Sequence, residues 1–250
     1  MKNIFFELVV VFVSFLIFSC KSEIKQENSE QKSVLSEGLY INQTLLDHLN
    51  ENIIWWEEPR IGEQITILKG DTIDVDNYIE KAKFHFSYMN DSVIRIDPLM
   101  YGAAFTFHIM NDKTLHLTDT LNNKDGSTSK FVKSDKLFPQ LLNEKLIAGN
   151  YSVIGISEKK TIVFSADGSI SDWEYDQFEL CYAGDCAEMP AEPANIIILK
   201  KGDKIEFRTI KIEKRQDGRY MKLHKLKEGA PDEKGNMSVM NDSLVLKNIY

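Results

Sequence analysis

Apolar and polar residues alternate along most of the chain beyond residue 60, which is the pattern of β-strands that bury one face. Valine, isoleucine, phenylalanine, tyrosine and threonine recur at every second position between turn residues. The pattern predicts a mainly β protein whose clearest strands are Gln64–Leu68, Thr72–Tyr78, Lys83–Met89, Ser92–Asp97, Phe105–Met110, Thr114–Thr118, Tyr151–Ile156, Lys160–Ala166, Asn195–Lys200, Lys204–Lys214 and Arg219–Leu226.

Two hairpins can be placed in register from their turns, and the clearer signal is in the second half of the chain. Asp217-Gly218 is a two-residue type I′ signal, so we expect Ile212 opposite Leu223 and Lys214 opposite Met221.

In the first strand of this hairpin the apolar residues change parity between Phe207 and Ile210. A β-bulge produces such a change, because its extra residue turns the following side chains to the other face. The sequence therefore predicts a bulge between these two residues.

Helical spacing of leucines occurs in two short segments, Asn42–Asn50 and Asp135–Leu146. Similar marks recur around them in the two halves of the chain. Each half opens on a G-x-Tyr segment and closes on an alternating strand, namely Gly38-Leu39-Tyr40 with Leu115-His116-Leu117, and Gly149-Asn150-Tyr151 with Met221-Lys222-Leu223. We expect two tandem antiparallel β-barrel or sandwich modules, residues 37–133 and 134–250, each preceded by a short helix. The alternative is one large sandwich or barrel.

The G-x-aromatic openings, the many short strands, Phe164-x-x-Asp167-Gly168 in an early hairpin and the closing L-x-L strand resemble lipocalin-like modules. Lipocalins open with G-x-W, whereas this chain has Tyr40 and Tyr151 at the tryptophan position. The resemblance implies a small barrel that binds an apolar ligand in its interior.

A different pattern stands at the start of the chain, where an apolar run ends at Cys20 and a polar segment follows. Ile17-Phe18-Ser19-Cys20 resembles a bacterial lipobox, so we expect residues 1–19 to be a signal peptide and Cys20 to carry lipid. A transmembrane anchor needs roughly 18–20 apolar residues, and a plain secretory signal prefers small residues at two positions before its cut site. Both alternatives fit this segment less well.

Residues 20–36 are rich in lysine, glutamate, serine and glutamine and predict a flexible tether. This tether and the asparagine- and lysine-rich composition resemble those of lipoproteins from Bacteroidota-type bacteria. The resemblance implies a lipid-anchored outer-membrane protein. The net charge of −8 excludes a nucleic-acid partner of the usual basic kind.

Apart from Cys20, the chain has two cysteines, Cys181 and Cys186, an even pair in an oxidising compartment. We expect a disulfide across a hairpin mouth. A redox pair would favour C-x-x-C spacing, and a metal site would need histidines nearby.

Candidate chemistry is sparse. His85, His108 and His116 each stand between apolar residues and should face solvent, and a turn at residues 111–113 would place His108 opposite His116. That pair could share a metal, although structural zinc needs four ligands. Acidic residues cluster at Asp71, Asp74 and Asp76 and at Asp172, Glu174 and Asp176, and the alternation of the second set predicts a solvated sheet face. Calcium binding or paired glycosidase acids are the alternatives.

The remaining candidates for ligand or partner contact are aromatic: Trp55, Trp56, Trp173 and Tyr175. The alternative for the tryptophan pair is a core plug at the end of a barrel. The main catalytic and nucleotide-binding motifs are missing. We therefore expect a binding lipoprotein for a small apolar ligand or an envelope protein, and no enzyme. A structural lipoprotein without a cavity is the first alternative, and a carbohydrate hydrolase is the second.

Overall fold

Eight strands from the first half of the chain pair in sequence order and close into an antiparallel barrel, in which β1 bonds to both β2 and β8. A computed structural model describes residues 35–52, 54, 62–76, 81–96, 104–118, 128–155, 160–182, 194–227 and 237–249. The barrel strands are β1 (Gly38–Asn42), β2 (Gln64–Ile67), β3 (Thr72–Asp76), β4 (Lys81–Asn90), β5 (Val93–Ile96), β6 (Phe105–Asn111), β7 (Thr114–Thr118) and β8 (Thr128–Lys133).

The interior of this barrel is occupied by apolar side chains, because alternate residues of each strand point inward. Phe107 and Phe131 meet edge to face at the centre, with ring centroids 5.7 Å apart, and both are fully buried. Isoleucines from β2, β3, β5 and β6 complete the same cluster. The period-two pattern of the sequence thus comes from a packed barrel core.

The second half of the chain forms a second antiparallel sheet of eight strands. Sequence neighbours pair here too, and β9 pairs with β16 as β1 pairs with β8. The two edge strands, β11 and β12, are linked by an isolated bridge between Ser169 and Gln177. The strands are β9 (Gly149–Val153), β10 (Thr161–Phe164), β11 (Ile170–Ser171), β12 (Gln177–Cys181), β13 (Ile196–Lys201), β14 (Lys204–Arg215), β15 (Gly218–Lys227) and β16 (Ser238–Ile249).

Two helices occur where the leucine spacing predicted them, α1 (Gln43–His48) and α2 (Phe138–Leu146). The Asn42 side chain accepts a hydrogen bond from the Leu45 amide and caps α1. The expected order, a helix before each module, holds for α2 but is wrong for α1, which follows β1. In the described part of the chain, no helix is long and apolar enough to cross a membrane.

Side chains of both halves share one core, and residues 33–250 form one compact unit. Leu45, Leu46 and Leu49 of the first half pack with Leu142 and Tyr151 of the second half. These contacts bury apolar surface that either half alone would expose.

Two polar contacts reinforce this junction. The Lys145 ammonium donates to the carbonyl of Leu49 at 2.7 Å, where α1 ends. The Asn195 side chain accepts from the Ile54 amide at 2.9 Å and donates to the Asn52 carbonyl at 3.1 Å. The two halves are thus joined by polar contacts as well as by a shared core. That they form separate tandem modules stays a prediction.

The β14–β15 hairpin has a different register from the predicted one. Its two turn residues are Gln216 and Asp217, and Gly218 pairs with Arg215, which puts Ile212 opposite Met221. Gly218 has a φ of +135°, a conformation that glycine adopts without strain. The error is two residues, so every side chain keeps its predicted face.

The predicted bulge between Phe207 and Ile210 is wrong, because β14 pairs regularly with both neighbours across this segment. The inward positions are instead occupied by Glu206 and Arg208, a buried ion pair. Because two inward positions of β14 are charged instead of apolar, the apolar residues of the sequence only give the impression of changing from one face to the other. A register shift does occur in this sheet, between His224 and Leu226 of β15.

Five strands were not predicted: β1, β8, β11, β12 and β16. Two of them, β8 and β16, follow the segments that were expected to close the halves, and each returns to pair with the first strand of its half. The alternating Asp172, Glu174 and Asp176 were expected on a sheet face, but they lie in the connection between β11 and β12.

We expect the Asp217 carboxyl to titrate far below its ordinary range. Hydrogen bonds from the Lys247 ammonium and the Tyr220 hydroxyl, at 2.6 and 2.7 Å, lower its pKa to about 2. A carboxyl-detected NMR titration should show this midpoint, and Lys247→Met should raise it toward 3.8, the ordinary value. The contact contributes stability above the ordinary pKa and loses it as pH falls toward 2. An unchanged midpoint in Lys247→Met would contradict the assignment.

Candidate functional site

A cleft of about 550 Å³ opens between the barrel and the second sheet, with α2 along one wall. Its lining comes from three distant parts of the sequence, residues 63–81, 137–143 and 167–200, and we call it the interhalf cleft. Its volume lies within the usual range for small-molecule sites.

Glu63 is the most buried charged residue of this cleft, at 3% exposure. Its carboxylate accepts a hydrogen bond of 3.0 Å from the hydroxyl of Tyr182, which is buried and packs on Phe138. The contact joins the start of β2 to the end of β12, so each half supplies one partner. A carboxylate is thus held in a mostly desolvated position on the cleft wall.

Gln64 fixes the next part of the wall. Its amide nitrogen donates to Asp76 at 2.9 Å, and its amide oxygen accepts from the backbone N–H of Phe138 at 2.9 Å. This second contact satisfies one of the free N–H groups in the first turn of α2. The glutamine therefore locks the helix against the barrel and orients Asp76.

Two lysines stand on opposite sides of the cleft, each paired with a carboxylate. Lys81 contacts Asp76 at 2.7 Å on the barrel side, and Lys200 contacts Glu179 at 2.6 Å on the sheet side. The hydrogen bond with Asp76 raises the pKa of Lys81 above its ordinary value.

A tight turn completes the lining. Asp167 accepts hydrogen bonds from the backbone and side chain of Ser169, and these bonds lower the pKa of Asp167. Gly168 has a φ of +90°, and a Cβ there would lie 2.9 Å from the carbonyl oxygen of Phe178. Only glycine fits this position without a shift of β12.

The described lining carries more acid than base, with carboxylates at Glu63, Asp76, Asp167 and Glu179 against the two lysines. A surplus of acceptors with negative charge suits a ligand that donates hydrogen bonds, such as an amine or a polyol. No motif in the sequence marks these residues, because they become neighbours only when the two halves pack.

The predicted aromatic contacts are distributed differently. Trp55 and Trp56 lie outside the described residues. Tyr175 is a core residue, 2% exposed, and Trp173 packs beside it with ring centroids 5.0 Å apart. Neither side chain lines the interhalf cleft among its described residues. A role for Trp173 in ligand contact stays a prediction.

Predicted chemistry at the cysteines falls partly outside the structure. Cys181 ends β12 and is buried. Cys186 and Cys20 lie outside the described residues, so the disulfide and the lipidation stay predictions.

The histidine prediction is confirmed for the pairing and for two of the three side chains. His108 pairs directly with His116, and the side chains of His85 and His108 are exposed, whereas His116 is half-buried. Among the residues that the structure describes, no group of three or more histidine, cysteine or acidic side chains converges as a metal site.

The first acidic cluster is explained by cross-strand charges. Asp74 and Asp76 of β3 stand opposite Lys83 and Lys81 of β4, with ion pairs of 3.7 and 2.7 Å. The three acids at 172, 174 and 176 are exposed.

A second buried charge cluster, absent from the sequence predictions, lies on the inner face of the second sheet. Arg208 donates to Glu206 at 2.6 Å, and Lys225 lies 3.3 Å from the other carboxylate oxygen. Tyr175 hydrogen-bonds Glu206 as well. Burial raises the pKa of Glu206, but the bond from Tyr175 and the Arg208 charge outweigh it and hold the pKa below its ordinary value.

The structure defines a mainly β protein with a closed eight-stranded barrel, a second antiparallel sheet and a polar cleft between them. Comparisons with protein-family models, with curated proteins and with solved structures found no match for this chain.

Proposed function

We propose that this protein is a lipid-anchored envelope lipoprotein that binds a small polar ligand in the interhalf cleft. The observation that carries the proposal is the cleft itself, where a buried carboxylate, two lysine–carboxylate pairs and a tyrosine converge around about 550 Å³. Its surplus of acceptors favours an amine or a polyol. The lipid on Cys20 would hold the protein at the outer membrane, and binding rather than catalysis is the proposed activity.

The lipocalin-like character of the first barrel is part of the same proposal. The up-and-down order of its eight strands and the Gly38-Leu39-Tyr40 opening support it. Its interior, however, is packed with aromatic and aliphatic side chains. A barrel packed in this way is a scaffold for a site at its edge, so the proposed ligand is polar and not the apolar molecule that the sequence suggested.

We expect Glu63→Gln to weaken binding of a cationic probe by about tenfold or more, since it removes a charge-assisted hydrogen bond from a buried position. Tyr182 can still donate to the new amide oxygen, so the fold is retained. Spermidine, glucosamine and glucose are suitable probes, added separately to isotopically labelled protein. The measurement is the dissociation constant from NMR shifts of residues lining the cleft.

The matched control is Glu144→Gln, which removes an exposed carboxylate of α2 that pairs with Lys136 instead of lining the cleft. It should leave binding unchanged. If palmitate binds and the polar probes do not, the apolar-ligand alternative gains. If no probe shifts the cleft resonances, the proposal fails in favour of a structural or protein-interaction lipoprotein.

A further inference from the structure

The polypeptide enters the fold at one end of the barrel, beside two hairpin tips. The Ser36 carbonyl accepts a hydrogen bond of 2.8 Å from Tyr40, and the Ser36 hydroxyl donates to the carbonyl of Asp112 in the β6–β7 turn. The neighbouring β4–β5 turn is tied to the same end, since the Ser92 carbonyl accepts from the Ile109 amide at 2.7 Å. The entry point and both tips therefore share one rim, which we call the entry rim.

The β4–β5 and β6–β7 hairpins at the entry rim carry a bulge at the same relative position. The register shifts between Tyr88 and Asn90 in the first, and between Ile109 and Asn111 in the second. The bulged residues are Met89 and Met110, and a bulge re-aims its side chain away from the regular pleat.

Each bulge is followed by an Asn-Asp turn. The Asn90 side chain accepts from the Ser92 amide, and the Asn111 side chain accepts from the Lys113 amide, both at 2.9 Å. These Asx-type bonds hold the two turns in one geometry. Each of these two Met-Asn-Asp segments therefore holds its methionine in a fixed position at the tip of a hairpin.

The result is a set of apolar side chains exposed at the entry rim. Tyr88, Met89 and Met110 are 56%, 58% and 55% exposed. A third Met-Asn-Asp segment, residues 240–242, lies within β16, and there the methionine is half-buried. The Met-Asn-Asp sequence alone therefore does not expose a methionine. Met89 and Met110 are exposed because they lie at hairpin tips.

We infer that the entry rim docks on the phospholipid surface that holds the anchor, with Tyr88, Met89 and Met110 inserted at the headgroup boundary. The inference rests on the lipid anchor of the proposed function. Burying apolar side chains in the membrane interface is favourable, and tyrosine is enriched at that level. The interhalf cleft, which begins at Glu63 near the opposite end of β2, then faces away from the membrane.

The length of the chain between Cys20 and the barrel also supports docking of the entry rim on the membrane. About 15 residues separate Cys20 from Leu35, which corresponds to a mean end-to-end distance on the order of 20 Å for a flexible chain. Leu35 packs against the barrel core at the entry rim. The tether that the sequence predicts would keep this rim within a few side-chain lengths of the bilayer and raise its local concentration there.

The charge of the entry rim indicates which kind of phospholipid surface it would bind. Exposed lysines and acids are nearly balanced there: Lys69, Lys113 and Lys133 against Glu37, Asp71, Asp91 and Asp112. Polybasic attraction to anionic lipid is therefore not the driving force. Zwitterionic phospholipid is the appropriate probe.

The mature lipidated protein should be reconstituted in phosphatidylcholine vesicles that contain a phospholipid with a photoreactive diazirine in its upper acyl chain. Crosslinks are then located by peptide mass spectrometry. We expect the peptides with Tyr88, Met89 and Met110 to be labelled about tenfold more than those with Ile205 and Val239, given what apolar burial is worth per side chain. Ile205 and Val239 are matched controls, at 56% and 51% exposure.

A second measurement uses the lipid-free polypeptide Lys21–Tyr250. Its partition onto the same vesicles should fall by about tenfold in Tyr88→Ser/Met89→Ser/Met110→Ser, and Ile205→Ser should leave it unchanged. Equal labelling of rim and control peptides would overturn the inference, and so would a triple variant that partitions normally. If the mass of the N-terminal peptide shows no lipid on Cys20, the proposed anchor itself fails, and the partition result then decides the rim separately.

Discussion

Replacing Arg208 by methionine is expected to lower the free energy of unfolding by about 3–5 kcal/mol, because it leaves the Glu206 carboxylate in a buried site without its main partner. The side chains of Glu206 and Arg208 are only 10% and 9% exposed. Lys225 and Tyr175 remain near the carboxylate, so the loss should lie toward the lower end of that range. Urea unfolding at pH 7 measures it.

The chain supplies a matched control on the same strand. Glu213 and Arg215 repeat the Glu-x-Arg spacing of Glu206 and Arg208 with a similar contact of 2.7 Å, but the Arg215 side chain is 55% exposed. Arg215→Met should therefore leave the free energy of unfolding nearly unchanged, as is usual for an exposed pair. Equal losses in the two variants would contradict the assignment of Glu206 and Arg208 as a buried pair.

The difference between Arg208→Met and the wild type should depend on pH. The pKa of Glu206 in the folded protein lies below its ordinary value of 4.5, so its contribution is present above 4.5 and is lost as pH falls through the lowered pKa. A protonated Glu206 needs no charged partner. The stability difference should be largest at pH 7 and should narrow toward pH 3.

Leu49→Ala is expected to destabilise the whole protein by about 2–5 kcal/mol, the usual cost of a cavity at a fully buried leucine. Leu49 follows α1 in the first half but packs in the core of the second sheet, and it is 0% exposed. Loss of this contact should therefore speed amide hydrogen exchange in β13 and β15 as well as in α1. Exchange measured residue by residue by NMR tests this.

Asp47→Ala is the control, because Asp47 lies on the exposed face of the same helix. It should change stability by no more than about 0.5 kcal/mol. If Leu49→Ala affected only the α1 amides, the halves would behave as independent modules, as the sequence suggested.

Individual strands show how much of the fold the alternation of apolar and polar residues predicts. β7 was predicted with its observed bounds, Thr114–Thr118, because every second residue is apolar and polar residues flank it. Among the missed strands, β16 lacks this signal because it is mostly polar or half-exposed, whereas β12 is as long as β7 and alternates over only its first four residues. Their pairing depends on neighbouring strands, which a local pattern does not report.

The two hairpins with predicted registers gave different outcomes for a physical reason. His108 pairs with His116 as expected, whereas the β14–β15 turn consists of Gln216 and Asp217 instead of Asp217 and Gly218. Glycine permits positive φ at either place. Hydrogen bonds from Tyr220 and Lys247 to Asp217 help to hold the observed turn.

The sequence by itself determined the mainly β class, most strand positions and both helical segments, because side-chain periodicity follows directly from backbone geometry. It left Glu206–Arg208 and Glu213–Arg215 indistinguishable, since burial depends on what covers a strand. Only the tertiary structure decided closure of the barrel and the shared core at α1. It also created the interhalf cleft, where Glu63 meets Tyr182 across 119 positions of sequence, because that contact exists only after the two halves pack.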